Sequence, residues 1–239
     1  MKRITQIILV GHTQQPLIEA IKHFPLGKII LVLGDNPQLE GEALVVETAN
    51  PVEEVFSGLI SIERITVKKE EVLSAAIKIL EVIMTEIRAG RDIQINISGS
   101  LRQMAIACYI AALVSKTQIY SVIPEYNPQY EEIGISRVHF IPLFPIKKLS
   151  PIKLQILQTL AKEAVVGSIN ELITKIYSNP PDNSNMTLRA KTSYYLKELE
   201  KDGFILKERL GKSVNIKMTQ IGNIYSLGQE IVDLKRRIL

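Results

Sequence analysis

In 239 residues the chain has a single cysteine, Cys108, and no tryptophan. A lone thiol excludes an internal disulfide framework and a multi-cysteine zinc site. His12, His23 and His139 lie far apart, and no H-x-x-x-H spacing or Cys/His cluster points to a metal. No metal and no resident cofactor is expected. The longest apolar run, 104–114, is too short to span a bilayer, so no membrane partner is expected. Met1-Lys2-Arg3 passes straight into an apolar strand-like segment, without the hydrophobic region and cleavage site of a signal peptide. A cytoplasmic protein is the expectation. The dinucleotide fingerprint G-x-G-x-x-G is missing, since Gly11-His12-Thr13 holds one glycine, and so is the Walker pattern G-x-x-x-x-G-K-[ST]. Asp35, Glu125 and Glu131 form no evident acid/base pair, and no catalytic residue is assigned.

What remains is an ordinary globular composition, 46% hydrophobic and 23% charged. The net charge of +4 is unevenly spread. From Pro151 to the end there are 14 Lys and Arg against 9 Asp and Glu, a net of +5. The first 150 residues carry a net of −1. The positive balance of the last third suits a polyanion partner.

Strand and helix signals alternate over the first 141 residues. Segments rich in apolar and β-branched residues at 4–10, 28–33, 62–67, 93–97, 118–123 and 136–141 read as strands. Helical spacing marks 16–23, 70–88 and 101–116. The stretch 38–61 is the least clear, because Asn50-Pro51 interrupts a longer helix. The stretch 124–135 reads as a polar loop whose Tyr126 and Tyr130 are candidates for stacking on a base. This order predicts an α/β fold, a Rossmann-like, mostly parallel sheet over 1–142. Three prolines between Pro142 and Pro151 mark a linker, placed at 143–150. Beyond it, helices at 152–162, 169–177 and 187–202 are followed by strands at 204–209 and 213–218 and a last helix, 219–238. Three helices and then a hairpin is the order of a winged helix-turn-helix domain, placed at 151–239.

The helix at 187–202 has an apolar stripe of Leu188, Thr192, Tyr195, Leu196 and Leu199. Arg189, Ala190, Lys191, Ser193, Tyr194 and Lys197 then fall on or beside its opposite face. Small polar and basic side chains on such a helix suit base edges and flanking phosphates. Lys207, Arg209 and Lys212, around the hairpin, suit the DNA backbone. The expected partner is double-stranded DNA. The segment from Tyr194 to Ile205 resembles the recognition-helix-to-wing segment of many prokaryotic winged-helix regulators.

In the first domain the strand at 93–97 breaks at Ser98-Gly99-Ser100 and opens into the helix that begins with Leu101 and Arg102. A helix start with its free N–H groups, beside an arginine, is an anion-binding device. The segment Asn96-Ile97-Ser98-Gly99-Ser100-Leu101-Arg102, with Met104 after it, resembles the signature turn of the CRISPR-associated Rossmann-fold (CARF) family. The loop Gly11, His12, Thr13, Gln14 and Gln15 resembles that family's other ligand-facing loop. Ser100 and Leu101 depart from the family's frequent second glycine and threonine. The layout resembles the archaeal CRISPR-linked regulators in which such a domain precedes a winged helix. The resemblance implies a homodimer that binds a cyclic oligoadenylate at Gly11–Gln14 and Ser98–Arg102 and regulates transcription in antiviral defence. Two alternatives stand beside it: a ring nuclease or other nucleotide-processing enzyme, and a regulator of another metabolite. Cys108, inside the apolar helix, reads as inert core.

Overall fold

The computed structural model describes the chain except residues 1–3, 13, 37, 39, 100, 101, 147, 164, 178–184, 211, 212 and 239, and the side chains of 15, 16, 40, 185, 209, 210 and 213. Residues Met1–Pro145 form one compact unit together with Gly228–Leu239, and Ile146–Leu227 form a second.

The first unit is built on β1 (Ile4–Leu9), β2 (Leu26–Gly34), β3 (Ser61–Val67), β4 (Asp92–Asn96), β5 (Gln118–Tyr126) and β6 (Glu132–Phe140), in the order β3-β2-β1-β4-β5-β6. All neighbours run parallel except β6, which pairs antiparallel with β5. This is the Rossmann-like sheet that the alternating signals predict. Chain order reverses between β1 and β4, so the crevice outside their carboxyl ends is the topological switch point. Helices α1 (Gln15–Lys22) and α2 (Glu40–Phe56) close one face. Leu17, Ile21, Val45, Ala49 and Val52 pack there on Ile8, Ile29 and Leu31. Helices α3 (Val72–Arg88) and α4 (Arg102–Ser115) pack together against the other face.

Two expectations are corrected. First, α2 runs unbroken through Pro51. Val45, Ala49, Val52 and Phe56 form one buried stripe at helical spacing, and their burial outweighs the hydrogen bond lost at the proline. Second, 124–135 is not a loop but most of a hairpin, with β5 reaching Tyr126 and β6 starting at Glu132. The register shifts between Ile123 and Pro124, and a bulge is where a strand tolerates a residue without an N–H.

Gly90 ends α3 in the left-handed region (φ 74°), and the N–H of Arg91 closes back on Glu86 O at 3.1 Å. That turn delivers Arg91 to the Glu86 carboxylate, which is 3% exposed. Arg91 Nη1 donates to it at 2.6 Å, and Lys28 Nζ and Thr5 Oγ1 donate at 2.8 Å. Burial alone would raise the Glu86 carboxyl, but the donors from Lys28, Arg91 and Thr5 outweigh it and hold it below its ordinary range.

In the second unit α5 (Pro151–Lys162), α6 (Ile169–Ile176) and α7 (Asn185–Lys201) precede β7 (Ile205–Leu210), β8 (Ser213–Met218) and the start of α8 (Gln220–Ile238). Ile156, Leu157, Leu172, Leu196, Leu199 and Ile216 share its core. Ser168 caps α6 by accepting from Glu171 N at 3.1 Å, and the Glu171 carboxylate accepts from Gly167 N at 2.9 Å. Val166 and Ile216 exchange backbone hydrogen bonds of 3.1 and 2.8 Å, adding a bridge that the sequence pattern does not announce.

A carboxyl with a lowered folded-state pKa stabilises above its unfolded pKa and loses that contribution as pH falls through the folded value. Urea unfolding from neutral pH down to about pH 3 is therefore expected to show a steeper loss in the native chain than in Glu86→Gln. At neutral pH, Glu86→Ala is expected to cost about 3 kcal/mol, because it strands buried donors.

Candidate functional site

The two loops singled out in the first domain meet. Gly11 follows β1 and Gly99 follows β4, and the two backbones cross at the carboxyl ends of these neighbouring strands. A Cβ on Gly99 would stand 2.7 Å from Gly11 N and 2.9 Å from Leu9 O. A Cβ on Gly11 would run into the Gly99 carbonyl. Each position therefore needs glycine because of the other, at the switch point of the sheet.

Polar side chains fasten this crossing from below. Asn96, fully buried, accepts at Oδ1 from Ser98 N at 3.0 Å and from the Ser98 hydroxyl. That hydroxyl in turn accepts from Val122 N at 2.9 Å, tying the turn to β5. The Ser98 side chain is thus a clasp, and its one proton is already donated. Beside Asn96 lies Tyr120, fully buried, whose hydroxyl donates to Gln6 Oε1 at 3.0 Å. Burial pushes the Tyr120 phenol up, with the Asn96 side chain acting the other way. Asn96, Tyr120 and Gln6 belong to the site's foundation, and of these the sequence reading names Asn96 alone, as the first residue of the signature segment. The available signal was a polar residue inside an otherwise apolar strand, as in Thr5-Gln6-Ile7-Ile8 and Ile95-Asn96-Ile97.

Arg102 opens α4 and is exposed, as is Gln103. The first-turn N–H groups of a helix lack intrahelical partners, so this end favours negative charge. His12 is exposed and its Nε2 lies 3.2 Å from Gly41 O, in the first turn of α2. Gln14 stands at the N-cap of α1, its carbonyl accepting from Leu17 N and Ile18 N at 3.1 Å. Thr13, Ser100 and Leu101 lie outside the described residues. Next to the crossing, Lys69 and Glu42 form a buried ion pair, each under a tenth exposed, and Glu42 also accepts from Gly34 N at 3.1 Å. Cys108 is fully buried, and burial pushes its thiol up, which leaves it unreactive at neutral pH. Tyr126 and Tyr130 are both exposed, and the Tyr126 hydroxyl donates to Glu132 at 3.3 Å.

A separate cavity of about 420 Å³ lies at the other end of the sheet, at the starts of β1, β4 and β5. Gly90 and Arg91 line it, and none of Gly11–Gln14 or Ser98–Arg102 does.

In the second unit, α7 buries Thr192, Leu196 and Leu199, and Leu188 and Tyr195 are half-buried. Arg189, Ala190, Lys191, Ser193, Tyr194 and Lys197 are all exposed. Tyr194 is fixed rather than free. Its hydroxyl donates to Glu198 at 2.8 Å, and Glu198 pairs with Lys153 at 2.6 Å. Lys207 is held by Glu200 at 2.6 Å. The Arg209 side chain and Lys212 lie outside the described residues. No group of three or more metal-binding side chains occurs among the described residues, and no helix is long and apolar enough to cross a membrane.

Gly11→Ala and Gly99→Ala are each expected to lower stability by about 1–3 kcal/mol in urea unfolding, the range for overpacking. Gly134→Ala meets nothing within 4 Å and is expected to be neutral or slightly stabilising.

The chain is 30% identical over 229 residues to an uncharacterized protein of Archaeoglobus fulgidus, covering 94% of this chain and 98% of that one. Among solved structures, it aligns with Enterococcus italicus Csm6 bound to cyclic hexa-2'-fluoro-hexa-dAMP over 85% of its length, at 11% identity and a TM-score of 0.43. It aligns with Can2 from Sulfobacillus thermosulfidooxidans in complex with cyclic tetra-adenylate over 98% of its length, at 13% identity and a TM-score of 0.42. The chain spans 57% and 65% of those two proteins. These likenesses are remote, and the fold assignment rests on strand order and register. Residues 4–127, by contrast, match a described family outright, and the chain belongs to it: HFX_2341_N:-like, N-terminal.

Proposed function

We propose that the chain is a nucleotide-responsive, DNA-binding transcriptional regulator whose signal is a cyclic oligoadenylate produced in a CRISPR-linked response. The observation that carries this reading is the Gly11–Gly99 crossing. It joins two loops, read separately from sequence as ligand-facing, into one surface at the switch point. The resemblance of Asn96–Arg102 to the CARF signature supplies the ligand class. Phosphates are received by the amino end of α4 and by Arg102, and His12 and Gln14 border the same surface. Two copies related by a two-fold axis would offer a symmetric ring two such turns. With its hydroxyl proton committed to Asn96, Ser98 positions the turn.

Residues 151–227 act as a winged helix on duplex DNA. Its recognition helix is α7, presenting Arg189, Ala190, Lys191, Ser193, Tyr194 and Lys197, with Arg209 and Lys212 on the wing. These residues carry 11 Lys and Arg against 7 Asp and Glu, a net of +4, which supports a polyanion partner. Ligand binding changes DNA affinity by preferring one arrangement of the dimer, acting through the linker at 143–150.

Calorimetric titration with cyclic tetra- and hexa-adenylate is expected to show saturable binding, weakened at least about tenfold in Arg102→Ala. Binding to neither ring would refute the sensor reading. Gel shifts on a duplex selected from random sequence are expected to show Lys197→Ala weakening binding on all sequences, and lowering the slope of log K against log salt by about one. An unchanged slope would remove Lys197 from the interface.

A further inference from the structure

The chain passes between its two units twice, once between Pro145 and Ile146 and once inside α8, between Leu227 and Gly228. The second passage ends in an unusual dock within the first unit. Lys235 Nζ donates to Ser115 O at 3.0 Å, to Lys116 O at 3.1 Å and to Thr117 Oγ1 at 3.0 Å. These groups belong to the carboxyl end of α4, where carbonyls lack intrahelical partners and the helix dipole favours a cation. Lys116 adopts the left-handed conformation there (φ 53°), and Thr117 N closes on Ala112 O at 3.0 Å. The Ser115 hydroxyl donates to Ala111 O at 2.6 Å and accepts from the Thr117 hydroxyl at 2.8 Å, so the Thr117 acceptor is itself held in place. One turn and more earlier on α8, Gly228 lies against Val114. A Cβ there would stand 2.6 Å from Val114 Cβ and 2.8 Å from Val114 O. Arg88 and Glu230 add an ion pair of 3.0 Å on the outside. Burial draws the Lys235 pKa down to about 8, with Asp92 acting the other way.

The amino end of α4 carries Arg102, beside the glycine crossing. One helix of 14 residues, about 21 Å long, therefore has the candidate ligand turn at its first residue and the α8 dock at its last. We propose that Lys235 is a positioning residue that makes α8 follow α4, so that a ligand acting on the first turn of α4 reaches the residues of α8 before Gly228. The inference rests on the sensor reading given above. A helix moves as a body, because its side chains are close-packed and its hydrogen bonds run along its length. Three hydrogen bonds to its end transmit a shift that a loose apolar contact would absorb. The ligand need only prefer one of two placements of α4.

The test uses the full chain, cyclic tetra- and hexa-adenylate as ligands, and the duplex selected from random sequence. In the native chain the ligand is expected to change DNA affinity by about tenfold, a common size for coupling between sites. In Lys235→Met that change is expected to fall below about twofold, while ligand affinity and unliganded DNA affinity each stay within about threefold. Lys235→Arg, which keeps the charge and the donors, is expected to retain most of the response. Thr117→Val removes one acceptor of the Lys235 ammonium and reports the same coupling if Lys235→Met does not fold. A full response in whichever of these two variants folds overturns the inference and leaves the sensor reading standing. A native chain that binds both partners without coupling them overturns both.

Discussion

Everything proposed for this protein depends on two backbones being allowed to touch. At the carboxyl ends of β1 and β4 the chain crosses itself at Gly11 and Gly99, and neither residue tolerates a Cβ. β1 and β4 are paired neighbours at the point where the strand order reverses, so the loops that carry His12, Gln14 and Arg102 leave the sheet side by side.

The crossing is supported by a polar layer inside a sheet that is otherwise apolar. Gln6, Gln94 and Gln118 occupy registered positions on β1, β4 and β5, and Gln94 Nε2 donates to Gln118 Oε1 at 2.7 Å. Tyr120 reaches Gln6, and Asn96 holds Ser98. Gln6 Nε2 and Gln94 Oε1, a donor and an acceptor on facing residues, lack a partner. Buried polar networks of this kind specify one arrangement of a core more than they add stability. Near the other end of the sheet, Glu86 does the corresponding work for Lys28, Arg91 and Thr5.

How far the sequence could be read depended on whether a feature was local. The strands β1, β2 and β4 are short segments rich in isoleucine and leucine, and α3 follows helical spacing for 17 residues to a glycine stop. Both kinds of element are visible without knowing what packs on them. Pro51 misled because its local cost is plain, while the burial of Val45, Ala49 and Val52 that offsets it depends on tertiary packing. Pro124 misled likewise, since only the pairing partner reveals a bulge. At the site, the loops 11–14 and 98–102 were legible as small-residue turns after strands, but their contact was not. The clasp of Ser98 to Asn96 and Val122 was likewise invisible, because its partners come from the strand before and a neighbouring strand. Nothing in the pattern of Gly228–Ile238 says that it packs with the sheet; the amphipathic spacing there serves any neighbour equally well.

The central claim is that the two loops act as one ligand surface. Amide chemical shifts of the isotopically labelled chain, followed as cyclic tetra- or hexa-adenylate is added, test it most directly. The account predicts that amides around Gly11–Gln14 and Ser98–Gln103 move together along one saturation curve. Shifts confined to one loop, or centred on the cavity at the starts of β1, β4 and β5, would contradict it.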